Sequence, residues 1–253
     1  MDIGNRHRGT AGGALTVGGR PQSVELRLGK DSHLASVQHT VWMLLNQLVR
    51  LSGAVAKVAL VVPPNIPVIP KLSPLIAGEK PLLESLLEGA RAIGVPADDF
   101  VPVEVRAIES PRPDIILAIG FHLDPDATYC CAGWGLCGGI FDREISRPNA
   151  DCGLTIGPYI AACLAAGEVF RLARLIDYQP EHQLFFNASD YAVTTQPVWT
   201  DLAINEELSS VALIGVGAVG NAVLHSLYPL PLRGSIMVAD NDKKGLEDTN
   251  LGR

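Results

Sequence analysis

In "SVELRLG", residues 23–29, apolar and polar positions alternate, as in a strand with one buried face. In "HLASVQHTVWMLLNQLVRL" the apolar positions instead recur at helical spacing. Asp31 or Ser32 is placed to cap that helix, and Gly53 to close it in a left-handed turn. "KVALVVPP" is a short apolar run closed by two prolines and predicts a buried parallel strand. "NIPVIPKLSP" holds too much proline for regular structure, whereas "KPLLESLLEGARAIGV" predicts an amphipathic helix. "FVPVEVRAI" and "PDIILAIG" read as two more strands. The stretch from Phe121 to Asp151 shows no period and reads as irregular. "TIGPYIAACLAAGEVFRLARLI" predicts a long helix whose small residues permit close packing.

Strands alternating with helices imply an α/β fold, a Rossmann-like and mainly parallel sheet. After "HQLFFNASDYAVTTQPVWTDL" the pattern loosens into strand and loop, and "INEELSS" reads as a short helix or turn. A second α/β unit begins at Val211: strand "VALIG", turn, helix, then strand "SIMVAD". The organisation expected is a flexible segment 1–22, an α/β domain over 23–195, and the start of a second domain over 205–253.

Composition narrows the function classes. With 47% apolar and 19% charged residues, the chain has ample material for a core and does not read as disordered. A net charge of -7, with no basic stripe among aromatics, argues against nucleic-acid binding and against attraction to anionic membranes. The opening "MDIGNRHRGTAGGALTVGGRPQ" lacks the apolar centre of a secretory signal. No apolar run is expected to reach the roughly 18 residues of a membrane span, so a cytoplasmic protein is expected. Cys130, Cys131, Cys137, Cys152 and Cys163 do not form paired CxxC spacings, which favours free, mostly buried thiols over a zinc site.

The chemistry concentrates near the carboxyl end. Gly215, Gly217 and Gly220 of "GVGAVG" fit G-x-G-x-x-G between a strand and a helix. The first glycine permits a tight turn, the second lets backbone approach phosphate, and the third allows close helix–strand packing. The helix start adds unpaired N–H groups and partial positive charge, which suit a phosphate. The next strand runs into Asp240, where a carboxylate accepts hydrogen bonds from ribose hydroxyls. These features fit NAD and ATP alike. "DNDKKGLEDTNLGR" then supplies Asp242, Asn250 and Arg253. An amide can bind phosphate oxygens, and a guanidinium can stabilise the charge developing as pyrophosphate leaves.

Asp240-Asn-Asp242 followed by Asn250-Leu-Gly-Arg253 resembles the D-x-D…N-L-x-R signature of the ThiF/MoeB/HesA family, to whose superfamily ubiquitin-activating enzymes belong. The interval from Asp240 to Asn250 is somewhat longer than the family's. The resemblance implies Mg-ATP binding and adenylation of the C-terminal carboxylate of a ubiquitin-like or sulfur-carrier protein. By position, Gly215, Gly217 and Gly220 would form the nucleotide turn, and Asp240 would bind ribose beside Asp242. Asn250 and Arg253 would hold the phosphates, with Arg253 catalytic. The family's magnesium-binding aspartate, its lysine and any acceptor cysteine would lie beyond residue 253, which implies a chain cut within an adenylation domain.

Residues 24–74 repeat the order strand, turn, helix, strand, irregular tail, with Gly29 in the place of Gly215 and Val62 in that of Asp240. The interval between the paired positions is longer by eight residues in this upstream copy, and the nucleotide-binding groups are missing. A tandem is therefore expected, an inactive adenylation-like domain before an active one. Lys30, Asp31 and His33 read as a helix cap rather than a remnant phosphate turn. His122, Asp124 and Asp126 read as a polar loop rather than a metal site, and His225 as a partly buried structural histidine. Two other readings stay open: an NAD(P)- or FAD-dependent oxidoreductase using the same turn, and a non-catalytic scaffold or dimerisation module. The final unit, short of sheet neighbours, is expected to expose apolar surface, to pack on the first domain or to be covered by another copy of the chain. Homo-oligomerisation or partial disorder is expected after about residue 205, and activity is expected of the full-length enzyme only.

Overall fold

The structure is a computed structural model, which describes residues 19–76, 78–94, 100–107, 110–175, 182–200, 207–215, 218–230 and 232–239. It opens with β1 (Gln22–Leu28), α1 (Ala35–Leu48) and β2 (Val55–Val61), followed by α2 (Leu82–Gly94), β3 (Val103–Val105) and β4 (Ile115–Ile119). These strands are parallel, in the order β3-β2-β1-β4. β5 (Tyr129–Trp134) joins β4 in parallel, and β6 (Cys137–Phe141), β7 (Leu184–Asn187) and β8 (Ala192–Thr194) extend the sheet antiparallel to eight strands. The Rossmann-like α/β fold expected from the alternation is the fold observed.

The alternation in β1 sorts the two sheet faces. Leu26 pairs with Leu117, and Leu117 with Tyr129, whose hydroxyl reaches Glu168 at 3.3 Å on α3 (Ile156–Arg174). Val24, Leu26 and Leu28 thus belong to the helical face, fully buried with Trp42, Leu45 and Leu48 of α1. α1 packs against both α2 and α3, so these three helices share that face. The opposite face carries Glu25 and Arg27. Glu25 is only 2% exposed because two guanidiniums cover it: Arg27 donates to Oε1 at 2.7 Å and Arg106 approaches Oε2 at 3.0 Å. Farther along that face, Phe185 stacks at 6.2 Å from Phe141, and Trp199 sits edge-on to Phe121 and Phe185.

The stretch expected to be irregular contains the β5–β6 hairpin. Its turn has Gly135 at φ +58, as a two-residue hairpin loop requires. A Cβ at Gly133 or Gly138 would overlap the α3 backbone at Gly157, so glycine there lets helix and sheet backbones touch. Burial on both faces removes the polar–apolar alternation that would have betrayed these strands.

Three smaller expectations are corrected. Gly53 lies outside the left-handed region, and α1 ends on Val49 in right-handed geometry. Glu207–Ser210 of "INEELSS" extends the next strand instead of forming a helix or turn. α3 is long and apolar enough by length and composition to cross a membrane, yet more than half of it is buried within the protein.

The second unit consists of β9 (Glu207–Ile214), α4 (Ala218–Leu227) and β10 (Arg233–Ala239), with the two strands parallel in a separate sheet. Ile214, Met237 and Val238 are exposed on it. Its helix rests on α1 and α3.

Candidate functional site

Ile214 and Ala239 end β9 and β10 in register, so both strands stop at one level. Gly215 follows at φ +86, and its N–H donates to the Ala239 carbonyl at 2.7 Å. That backbone conformation favours glycine. Among the described residues no atom lies within 4 Å of where a Gly215 side chain would begin. At Gly220 the reverse holds: a Cβ would overlap the Gly215 carbonyl. The tight turn and the close helix–strand contact expected of these two glycines are both present. Asp240 succeeds Ala239 directly in sequence. Gly217, Asp240, Asp242, Asn250 and Arg253 lie outside the described residues.

α4, which carries this turn, is fixed to the first sheet by its own histidine. Nδ1 of His225 lies 3.1 Å from the Tyr159 hydroxyl, and the Trp42 indole N–H points to Nε2 at 3.5 Å. Thr155 donates to the Ser226 carbonyl at 3.2 Å. Burial lowers the His225 pKa, Arg50 adding to it, and burial raises that of Tyr159. His39, edge-on to Tyr159 at 6.3 Å, is held down at about 4 by burial and by His225, against the opposing pull of Asp151. The structural role expected for His225 is what the geometry gives it, with the addition that it ties α4 to α1 and α3.

The first sheet has a crevice of its own. In the order β3-β2-β1-β4-β5 the parallel strands are added first on one side of β1 and then on the other, and ligands of open α/β sheets bind outside the carboxyl ends of the pair where that order switches, here β1 and β4. Here those ends meet the chain's own side chains. A Cβ at Gly29 would overlap the His122 imidazole, which fills the space above β1. Asp31, 5% exposed, takes the Phe121 N–H at 3.3 Å and faces Nδ1 of His122 at 3.3 Å. It also pairs with Arg147. Burial works to raise the Asp31 pKa, but the Arg147 guanidinium prevails and holds it below the usual carboxylate range.

Nor does Asp31 or Ser32 cap α1, as the sequence suggested. Asp151 does: its carboxylate accepts from the Ala35 N–H at 2.6 Å, the Ser36 N–H at 3.3 Å and the Ser36 hydroxyl at 3.0 Å. His33 turns back to the Lys30 carbonyl at 2.9 Å. His122, Asp124 and Asp126 divide: His122 faces Asp31, while Asp124 binds Arg27 at 2.8 Å and takes the Asp126 N–H at 2.9 Å. Among the described residues no three His, Cys, Asp or Glu side chains are grouped to hold a metal. The five cysteines are free, Cys163 alone among them exposed, and burial raises the Cys130, Cys131 and Cys137 thiols.

Sequence reasoning missed Arg147 and Asp151. Each acts 116 residues from its partner, and "RPNADCG" carries no local signal beyond a polar loop. No protein-family model matches the sequence, and no curated protein shows significant similarity to it.

Proposed function

We propose that the unit beginning at β9 belongs to an ATP-dependent adenylyltransferase of the ThiF type, which activates the C-terminal carboxylate of a ubiquitin-like or sulfur-carrier protein. The observation that carries the reading is the turn itself: Gly215 at positive φ, with Gly220 closing helix on strand inside a parallel βαβ unit. Such a turn presents backbone N–H groups and a helix start to phosphate. What favours ATP over a redox dinucleotide is the sequence past β10, where Asp240 and Asp242 are followed by Asn250 and Arg253.

In this reading Asp240 receives ribose hydroxyls, and Asn250 and Arg253 hold the phosphates, the guanidinium offsetting charge on the departing pyrophosphate. Magnesium would neutralise part of the triphosphate charge when bound. The first domain serves as the non-catalytic partner of the tandem, and its crevice, filled by Asp31, His122 and Arg147, agrees with that assignment.

Calorimetric titration of the protein with Mg-ATP and with NADH tests the proposal. ATP binding that is lost in Asp240→Ala supports it. Tight NADH binding without ATP binding refutes it and leaves the oxidoreductase. In the full-length enzyme, pyrophosphate exchange dependent on a small protein ending in Gly-Gly identifies the substrate class.

A further inference from the structure

A cavity of about 490 Å³ opens where the second unit meets the segment after β2, and its volume is that of a small-molecule site. Leu224 and Leu227 of α4 form one wall, the start of β10 a second, and Lys71 and Pro74 from the proline-rich stretch after β2 a third. Its floor is apolar: Leu230 is buried in the core, and Leu227 and Leu232 pack against that core. The glycine turn is elsewhere. Gly215 meets Ala239 at the far end of β10, roughly 20 Å along the strand from Arg233.

The charges around the cavity are one-sided. Lys71 and Arg233 line it, both are exposed, and neither has a hydrogen bond or ion pair among the described residues. No described Asp or Glu lines it, in a chain whose net charge is -7. His225 adds no charge, since Trp42 and Tyr159 occupy its two nitrogens. The carboxyl end of α4 contributes only about half a negative charge against the two cations. Lys71 also holds its place at φ +56, a left-handed conformation that a side chain disfavours.

We infer that this cavity is a ligand site for a small organic acid, a carboxylate head on an aliphatic or aromatic body. The Arg233 guanidinium and the Lys71 ammonium supply donors for the carboxylate, and the leucines of the floor and the α4 wall receive the body. Because the walls come from both units, a bound acid fastens α4 and β10 to the segment after β2. The site is separate from the glycine turn, so the inference stands whether or not that turn takes ATP.

Octanoate is the probe, titrated by calorimetry in the absence of nucleotide, with acetate, octylammonium and 1-octanol as comparisons. Octanoate should bind with a Kd of about 1 mM, and the three comparisons should bind at least about tenfold more weakly. Lys71→Met and Arg233→Met should each weaken octanoate about tenfold, the effect of one lost charge-assisted hydrogen bond. Neither substitution should move the melting temperature, because both side chains are exposed and unpaired. Weakening in either variant supports the site, so one folded variant suffices. No octanoate binding up to about 10 mM overturns the inference, and so does binding that both variants retain unchanged. Equal binding of 1-octanol or octylammonium would reduce the cavity to an apolar surface, and equal binding of acetate to a surface anion contact; each outcome overturns it as well.

Discussion

The Tyr159 hydroxyl and Nδ1 of His225 lie 3.1 Å apart, and this contact ties the glycine-turn helix to the long helix of the first sheet. The ring's protonation follows from its other neighbour. An indole N–H only donates, so Nε2 facing Trp42 must be the bare nitrogen, and the proton sits on Nδ1 toward Tyr159. A second proton would set two donors against each other.

That arrangement predicts acid sensitivity. His39 and His225 both have folded pKa values below the ordinary histidine value, His39 at about 4, so the unfolded chain binds their protons first. Their contribution is complete above about pH 6.5 and is lost as pH falls through the folded values. For His39, whose Nδ1 is buried without a hydrogen-bond partner among the described residues, the loss is on the order of 3 kcal/mol by pH 4. Urea unfolding at pH 7 and pH 4.5 should show a smaller drop in His39→Gln than in wild type. Identical drops would remove His39 from the account.

Glu25 has a different standing, since it is a buried carboxylate shared by two guanidiniums. Glu25→Gln leaves Arg106 without its anion and Arg27 with Asp124 alone, on a sheet face where both guanidiniums are mostly covered. A cost of about 3 kcal/mol in denaturant unfolding is expected. Arg106→Met should cost clearly less, because Glu25 keeps Arg27 at 2.7 Å. The reverse ranking would show that Arg106, not Glu25, holds the network together.

The hairpin glycines give a contrast within one fold. Gly138→Ala would drive a Cβ into the α3 backbone, where neither element can yield. A loss of about 3 kcal/mol or more is expected, read as a fall in melting temperature or in soluble yield. Gly153→Ala meets no atom of the described residues within 4 Å and should leave the melting temperature unchanged within about 1 °C.

These cases also explain what could be read from the chain. β1, α1 and α3 were legible because one face of each element is polar or its apolar spacing is regular, as in "SVELRLG", and β2 because its short apolar run is closed by two prolines. "YCCAGW" and "CGGIF" were not, since α3 covers one face, aromatic packing the other, and glycine stands where backbones touch. The nucleotide turn was legible because Gly215 and Gly220 act within six residues of each other. The closure of the first crevice was illegible for the opposite reason. Asp151 meets Ala35, and Arg147 meets Asp31, only after the sheet is built.

Gly220 offers the sharpest test of the turn, separate from any nucleotide. Its close approach to the Gly215 carbonyl holds α4 against β9, and α4 in turn holds the unit to the first sheet through His225. In Gly220→Ala the added methyl must push helix and strand apart, while the core around Trp42, Leu26 and Leu117 has no part in that contact. Hydrogen exchange should therefore quicken across β9, α4 and β10 by about tenfold or more, as a local opening eased by about 1.4 kcal/mol would give, with β1, β2 and β4 unchanged. Exchange that quickens equally in both sheets would mean the two open as one cooperative body. Exchange unchanged everywhere would mean that the third glycine of the motif carries no packing load.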